Sequence, residues 1–226
     1  MTPGATMKLI IFDCDGVLVN SEEVYQAAEL EWLASAGLTF EPSVYTKTFM
    51  GLSPAIWRAK LEAIGLARAK PLTPHFFEQM ADYTNERLQK RLAPLPDARN
   101  TINRLSSLRC VASSTPVARL RWKLERTGLI DLFEPHIFSS DLVNNGKPEP
   151  DLFLYAARSM NVHPEECIVV EDSVNGVLAG KAAGMHVIGF AAGNHCSGNH
   201  GDILLQHGAD VVVAAYRDLE SALVNL

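Results

Sequence analysis

The sequence has few of the features that mark nucleic-acid binders and membrane proteins. Its 20 Lys and Arg are outnumbered by 26 Asp and Glu, which gives a net charge of −6, and no segment concentrates positive charge as a nucleic-acid site would. No apolar run approaches the roughly 18 residues that a membrane-spanning helix needs. We therefore expect neither nucleic acid nor a membrane as a partner.

Cysteine is also scarce, because the chain has only four, and none of them stands in a CxxC motif or a disulfide framework. Single cysteines within apolar runs are typical of proteins that keep their thiols reduced. The first residues, MTPGATMK, lack the long apolar segment of a secretory signal. The sequence therefore predicts a cytoplasmic protein.

Short apolar runs recur along the chain, and helical patterns separate most of them. Runs such as CIVVE and DVVVA are apolar at successive positions, which is typical of strands that are covered on both faces. The fold class predicted from this pattern is α/β with a parallel sheet. The runs cover residues 8–12, 109–113, 136–139, 167–171, 186–190 and 209–214.

A long segment between the first two runs has no strand pattern. Helical stretches fill residues 21–92, broken by glycines and prolines, and the sequence LAPLPDA marks the return to the sheet. The predicted organisation is a first core segment at 1–20, a helical domain at 21–92 and the remaining α/β core at 93–226.

Two aspartates follow the first apolar run directly, in the segment IIFDCDGV. Ligands of parallel sheets bind at the carboxyl ends of strands, which places Asp13 at that edge, and Asp15 faces the same side if the chain stays extended. Two carboxylates this close repel each other unless a cation is present or one keeps its proton. Both conditions suit phosphoryl transfer by a nucleophile and an acid, although a helix cap or surface turn is the alternative for this segment alone.

The ends of later strands carry further polar side chains. Ser113 ends the second run, Lys147 lies in the loop NNGKPEPD after the third, and Glu171 and Asp172 end the fourth. A hydroxyl and a lysine can bind phosphate oxygens, and carboxylates are the hard oxygen ligands that Mg²⁺ prefers. Taken singly, the serine and Asp172 could cap helices and the lysine could be a solvated charge. Together they favour one site for a phosphate and a magnesium ion.

With these motifs in this order, the sequence resembles the haloacid dehalogenase superfamily over nearly its whole length. DCDGV is similar to the first motif, the Ser113 segment to the second, GKPEPD with Lys147 to the third, and VVEDSVNG with Glu171 and Asp172 to the fourth. The helical insert is similar to the cap of β-phosphoglucomutase and phosphoglycolate phosphatase relatives. The resemblance implies a Rossmann-like parallel sheet core with an inserted all-helical cap domain.

The resemblance also implies roles for these residues. Asp13 would attack phosphorus and form an aspartyl phosphate, while Asp15 would protonate the leaving alcohol and then activate water. Ser113, Ser114 and Lys147 would bind the phosphoryl oxygens. The implied cofactor is Mg²⁺, held by Asp13, the backbone carbonyl of Asp15 and Asp172, with Glu171 in support.

The resemblance implies a phosphatase that acts on a small phosphorylated metabolite, either a sugar or a polyol phosphate, because superfamily members without phosphate-ester chemistry lack an acid at the Asp15 position. The alternative is a phosphosugar mutase similar to β-phosphoglucomutase. Mutase-like members carry a His where this chain has Tyr25, and Lys and Arg around the cap glycine where it has FMGLSP, so hydrolysis is favoured. Tyr25 and Gly51 are predicted to contact the substrate.

Three further features have structural interpretations. Gly176, Gly180 and Gly184 are interpreted as small residues that let a helix lie close to the sheet, with the last one ending it. The loop that contains His195, Cys196 and His200 fits no zinc pattern and is interpreted as a surface loop. We expect a monomer, with a dimer as the alternative.

Overall fold

The computed structural model describes residues 8–49, 52, 54–193, 196 and 198–226. They form two compact units, one made of the described residues up to Asn20 together with Ala93–Leu226, and the other of Ser21–Leu92. Gly51, which is predicted to contact the substrate, and His195 lie outside the described residues. Within the described part of the chain, none of the helices is both long and apolar enough to cross a bilayer.

A parallel sheet forms the centre of the first unit, so the predicted fold class is confirmed. The strand order is β3-β2-β1-β4-β5-β6, and every neighbouring pair is parallel. The chain adds strands to one side of β1 and then returns to add β4 on the other side. The strands are β1 (Leu9–Phe12), β2 (Leu108–Ser113), β3 (Ile137–Ser139), β4 (Cys167–Glu171), β5 (His186–Phe190) and β6 (Val211–Val213).

Helices connect the strands and make up the second unit. In the second unit they are α1 (Ser21–Ser35), α2 (Pro42–Phe49), α3 (Pro54–Ala67) and α4 (Pro74–Arg91). In the first unit they are α5 (Ala98–Arg104), α6 (Val117–Arg126), α7 (Asp151–Ser159), α8 (Val174–Ala182), α9 (His200–Gln206) and α10 (Tyr216–Val224). Short 3-10 turns lie at Ile130–Leu132, Ser140–Leu142 and Pro164–Glu166.

Burial of the central strands on both faces explains their continuous apolar sequence. All four residues of β1 and all five of β4 are buried. One face of the sheet packs against Leu152 and Phe153 of α7 and Val177 of α8. A methyl group added at Gly180 would lie 2.7 Å from Val187 Cγ2, so α8 approaches the sheet too closely there for a larger residue. Gly184 follows α8 with a φ of +74°, as a helix-ending glycine does.

The helical unit has an apolar core of its own, into which one hydrogen-bonded carboxyl is built. Tyr45 Oη donates to Glu29 Oε2 at 2.7 Å, and Trp57 Nε1 donates to Tyr45 Oη at 3.2 Å. Burial raises the pKa of Glu29 to about 7, although the hydrogen bond from Tyr45 opposes this rise. The core consists of Leu33, Leu38, Tyr45, Phe49, Leu61, Phe77 and Met80.

We expect Glu29 to make folding stability depend on pH. In the unfolded chain its pKa returns to 4.5, so the stability contribution is full below pH 4.5 and is lost as the pH rises through about 7. The loss should amount to no more than about 3 kcal/mol. Urea unfolding between pH 4.5 and 8 should show a steeper fall in the wild type than in a Glu29→Gln variant. Parallel stability curves for the two proteins would contradict the prediction.

Candidate active site

Asp13 lies at the carboxyl end of β1, where the strand order reverses between β1 and β4. Its backbone N–H donates to Val170 O at 3.0 Å, which continues the pairing with β4, and its side chain is buried. Gly16 then adopts a φ of +73°, which turns the chain away from the sheet. Cys14, between the two aspartates, is fully buried. This edge of the sheet is where parallel α/β proteins bind their ligands.

Lys147 joins the ends of three strands. Its Nζ donates to Asp13 Oδ1 at 2.7 Å, to Glu171 Oε2 at 2.7 Å and to Ala112 O at 3.1 Å. Nζ also lies 4.8 Å from the centroid of the Phe153 ring. Burial disfavours its charged form, but the two carboxylates more than compensate and raise the pKa of Lys147 above its ordinary value. The lysine is therefore a fixed positive charge at the centre of the site.

Three carboxylates lie together beside this lysine. One oxygen each of Asp13, Glu171 and Asp172 lie within 4.8 Å of one another, and all three residues are buried. Burial raises the pKa of Asp13 well above its ordinary value; Lys147 opposes this rise, while Glu171, Asp172 and Asp15 add to it. A hard divalent cation would relieve the repulsion, and carboxylate oxygens are its preferred ligands. The donor set therefore fits a hard divalent cation.

Glu171 is held by the turn that begins α8. Its Oε1 accepts hydrogen bonds from Ser173 N at 3.0 Å and Ser173 Oγ at 2.8 Å, and Ser173 Oγ in turn accepts from Gly176 N at 3.0 Å. A methyl group added at Gly176 would lie 1.9 Å from Glu171 Cδ. Gly176 therefore provides space for a carboxylate of the site, a more specific role than the helix packing that the sequence suggested.

We expect Gly176→Ala to damage the site although alanine is the better helix former. The added methyl must displace Glu171 and with it the partner of Lys147, so kcat/KM should fall at least about tenfold. Activity assays and thermal unfolding of the variant would measure this. The control is Gly201→Ala in α9, where the new methyl meets only Val212 and Ala191. Equal activity in both variants would show that Glu171 can move aside without loss of function, and would contradict the prediction.

Asp15 points towards a different group of residues. Its Oδ2 accepts a hydrogen bond from Thr115 Oγ1 at 2.6 Å, and its Oδ1 is ion-paired with Lys123 Nζ. The carboxylate of Asp15 lies outside the group of three described above. The sequence analysis predicted the backbone carbonyl of Asp15, not its carboxylate, as the metal ligand. The position of the carboxylate is therefore compatible with its predicted role as acid and base.

The serines lie on the loop between β2 and α6. Ser113 is buried, and its Oγ accepts from Thr115 N at 3.1 Å, whereas Ser114 is exposed. Neighbouring hydroxyls fix this loop, since Ser139 Oγ donates to Thr115 O at 2.8 Å and Ser140 Oγ donates to Ser114 O at 2.9 Å.

The first backbone N–H of α6 is already bound within the protein, because Val117 N donates to Asp141 Oδ2 at 2.8 Å. It is therefore not available to a ligand.

Sequence reasoning missed three residues that the structure places at the site, Thr115, Lys123 and His200. The interpretation of a surface loop was wrong for His200, which is buried and whose Nε2 lies 2.6 Å from Asp172 O.

Lys123 belongs to the buried face of α6, between Leu120 and Leu124. A lysine on the apolar face of an amphipathic helix is a signal that the helical period could have revealed. Tyr25 lies half-buried in α1 of the helical unit, and its predicted contact with the substrate stays a prediction.

Comparison with known proteins agrees with this geometry. The model of the haloacid dehalogenase-like hydrolase family matches residues 7–184. The chain belongs to this family. The resemblance that the four motifs predicted is therefore confirmed, as is the prediction that the protein is a hydrolase.

The relatives of this haloacid dehalogenase-like hydrolase include curated phosphatases. The 6-phosphogluconate phosphatase of Escherichia coli (strain K12) is 31% identical over 192 residues, which cover 84% of the chain and 85% of the relative. Hexitol phosphatase A of the same organism is 32% identical over 191 residues, which cover 82% of the chain and 83% of the relative.

A solved structure shares the fold. The HAD family hydrolase from Deinococcus radiodurans R1, crystallised with bound phosphate and sodium, is 28% identical. It superposes with a TM-score of 0.86 over 99% of this chain and 97% of its own. The similarity therefore extends over both units of the chain.

Proposed function

We propose that the protein is a Mg²⁺-dependent phosphatase that hydrolyses a small phosphorylated metabolite, a sugar or polyol phosphate, through an aspartyl phosphate on Asp13. The observation that carries the proposal is the convergence of Asp13, Lys147, Glu171 and Asp172 from separate strand ends on one buried point. The relatives named as 6-phosphogluconate and hexitol phosphatases support the substrate class.

The first step transfers the phosphoryl group to the protein. Asp13 attacks phosphorus, the bond from phosphorus to the ester oxygen breaks, and Asp15 gives its proton to the departing alcohol. Ser113, Ser114 and Lys147 bind the phosphoryl oxygens. Positioning and charge neutralisation are the main requirements of such a loose transition state.

The second step releases inorganic phosphate. Asp15, now a carboxylate, takes a proton from a water molecule that attacks phosphorus, and the bond to Asp13 breaks so that both aspartates return to their starting state. Asp13, Asp172 and the backbone carbonyl of Asp15 would hold Mg²⁺, with Glu171 in support. The ion would supply positive charge that lets an anionic nucleophile approach an anionic phosphate.

A panel of phosphate esters tests the proposal. The purified protein with Mg²⁺ should release phosphate from sugar and polyol phosphates, and a chelator should stop the reaction. NMR of the products from a hexose 1-phosphate distinguishes hydrolysis from transfer within the sugar. An isomerised sugar phosphate would favour the mutase alternative, and inertness towards every ester of the panel would overturn the proposal.

A further inference from the structure

A buried lysine holds the carboxylate that the reaction needs as acid and base. Lys123 lies on the inner face of α6 with only 2% of its side chain exposed, and its Nζ is ion-paired with Asp15 Oδ1. Nζ also donates to Thr115 Oγ1 at 3.3 Å. Lys123 therefore closes a small polar cluster with Asp15 and Thr115.

The helical pattern around Lys123 calls for an apolar residue. Leu120 and Leu124, which share its face of α6, are fully buried. Moving an ammonium group out of water is costly, and a buried ion pair adds little net stability over apolar packing of the same shape. Fold stability alone therefore does not account for a lysine at this position. Its role has to be inferred from the group that it binds.

The partner is held at two points. Lys123 binds one oxygen of Asp15, and the Thr115 hydroxyl binds the other at 2.6 Å. Thr115 is itself fixed, because its backbone carbonyl accepts from Ser139 Oγ and its N–H donates to Ser113 Oγ. Two-point attachment to a rigid loop and helix fixes both the position and the rotation of a carboxylate. The Asp15 side chain still keeps 18% of its surface exposed, so it remains open to a reactant.

We propose that Lys123, together with Thr115, is a positioning residue that fixes the Asp15 carboxyl for proton transfer to the leaving oxygen and from the attacking water. The inference rests on the function proposed above. Lys123 acts through Asp15 and is not itself a catalytic residue. Misplacement of an acid–base group by about 1 Å can cost on the order of 100-fold in rate.

The test compares two esters with a Lys123→Met variant, in which the unbranched apolar side chain keeps the packing. An alkyl phosphate needs a proton on its leaving oxygen, whereas 4-nitrophenyl phosphate has a stable leaving group that needs almost none. Lys123→Met should lower kcat/KM for the alkyl ester about 10- to 100-fold more than for the aryl ester, since general acid catalysis typically contributes about 10²–10⁴-fold. Equal losses on both esters would overturn the inference.

A matched control removes another cation of the same helix. Arg121 lies two residues earlier and pairs with the exposed Glu134. Arg121→Met should leave both kcat/KM values unchanged, and the same selectivity change in this variant would show that α6 as a whole, not the contact with Asp15, is responsible.

A double-mutant cycle separates positioning from general damage. In an Asp15→Asn background, Lys123→Met should lower the residual rate on 4-nitrophenyl phosphate less than twofold, because the group that Lys123 positions is already disabled. A loss as large as that in the wild-type background would mean that Lys123 acts elsewhere.

Thr115 provides the measurement if Lys123→Met fails to fold by circular dichroism. Thr115→Val removes one attachment point and should reproduce the selective loss on alkyl esters, whereas Thr115→Ser keeps the hydroxyl and should restore the activity. Equal behaviour of the two Thr115 variants overturns the inference. If the wild type hydrolyses neither ester, the proposed function fails and the inference fails with it. If the wild type hydrolyses both esters but the variants lose equal activity on the two, only the positioning role is refuted.

Discussion

Replacement of Asp13 by Asn should leave a folded protein whose rate of phosphate release is at least about 10⁴-fold below that of the wild type. An amide oxygen cannot form the bond to phosphorus that a carboxylate forms. Asn keeps the size of the side chain and an oxygen that can accept the 2.7 Å hydrogen bond from Lys147. It also removes a negative charge that burial disfavours. Stability should therefore be equal or higher while activity is lost.

Initial rates of phosphate release at saturating Mg²⁺ and substrate would measure this loss, with urea unfolding as the check on folding. Asp131→Asn is a suitable control, because Asp131 is an exposed carboxylate of the same unit that pairs with Arg99. It should keep full activity. Turnover by Asp13→Asn within tenfold of the wild type would mean that another group accepts the phosphoryl.

The second large effect is expected at Lys147. Lys147→Met removes the donor shared by Asp13, Glu171 and the Ala112 carbonyl, which leaves buried carboxylates without a compensating charge. Breaking one side of a buried ion pair typically costs about 3–5 kcal/mol of stability. The rate should fall about 10²–10³-fold or more, because a donor that stabilises the charge developing on phosphoryl oxygens is lost as well.

Lys181→Met is the control for the loss of a lysine. Lys181 pairs with Asp210, but its side chain is 36% exposed, so its removal should cost less than about 1 kcal/mol and leave the rate unchanged. Urea unfolding and steady-state kinetics of the two variants give both comparisons. A Lys147→Met protein with wild-type activity would contradict the assignment of Lys147 to the phosphate site.

The sheet could be predicted well because its strands are covered on both faces. The predicted runs at 167–171 and 186–190 coincide with β4 and β5, since each is an uninterrupted apolar segment between turn residues. The helices α5, α9 and α10 were not predicted, and α2 was not singled out within the helical segment predicted at 21–92. In α2 only Tyr45 and Phe49 are buried, and α9 lies in a segment rich in Gly, His and Asn. Such elements owe their form to tertiary packing more than to sequence pattern.

The part of the site that lies at the carboxyl ends of the strands could be predicted from the sequence. Asp13 directly follows β1, Glu171 is the last residue of β4 and Asp172 comes next, so the sheet topology alone brings them to one edge. Their chemical roles stay predictions. The sequence could not show that Lys123 reaches Asp15, because that contact depends on how α6 packs on the sheet and on which way a long side chain turns.

The covalent state of Asp13 during turnover tests the central proposal most directly. The protein is mixed with Mg²⁺ and a ³²P-labelled sugar phosphate, quenched in acid within the first turnover and digested, and the labelled peptide is sequenced by mass spectrometry. The mechanism predicts label on the peptide that contains Asp13 and none in Asp13→Asn. With ³²P-labelled 4-nitrophenyl phosphate, whose leaving group needs almost no acid, an Asp15→Asn variant should carry more label because its second step is slow. Hydrolysis with no label on Asp13, or with label on another residue, would contradict it.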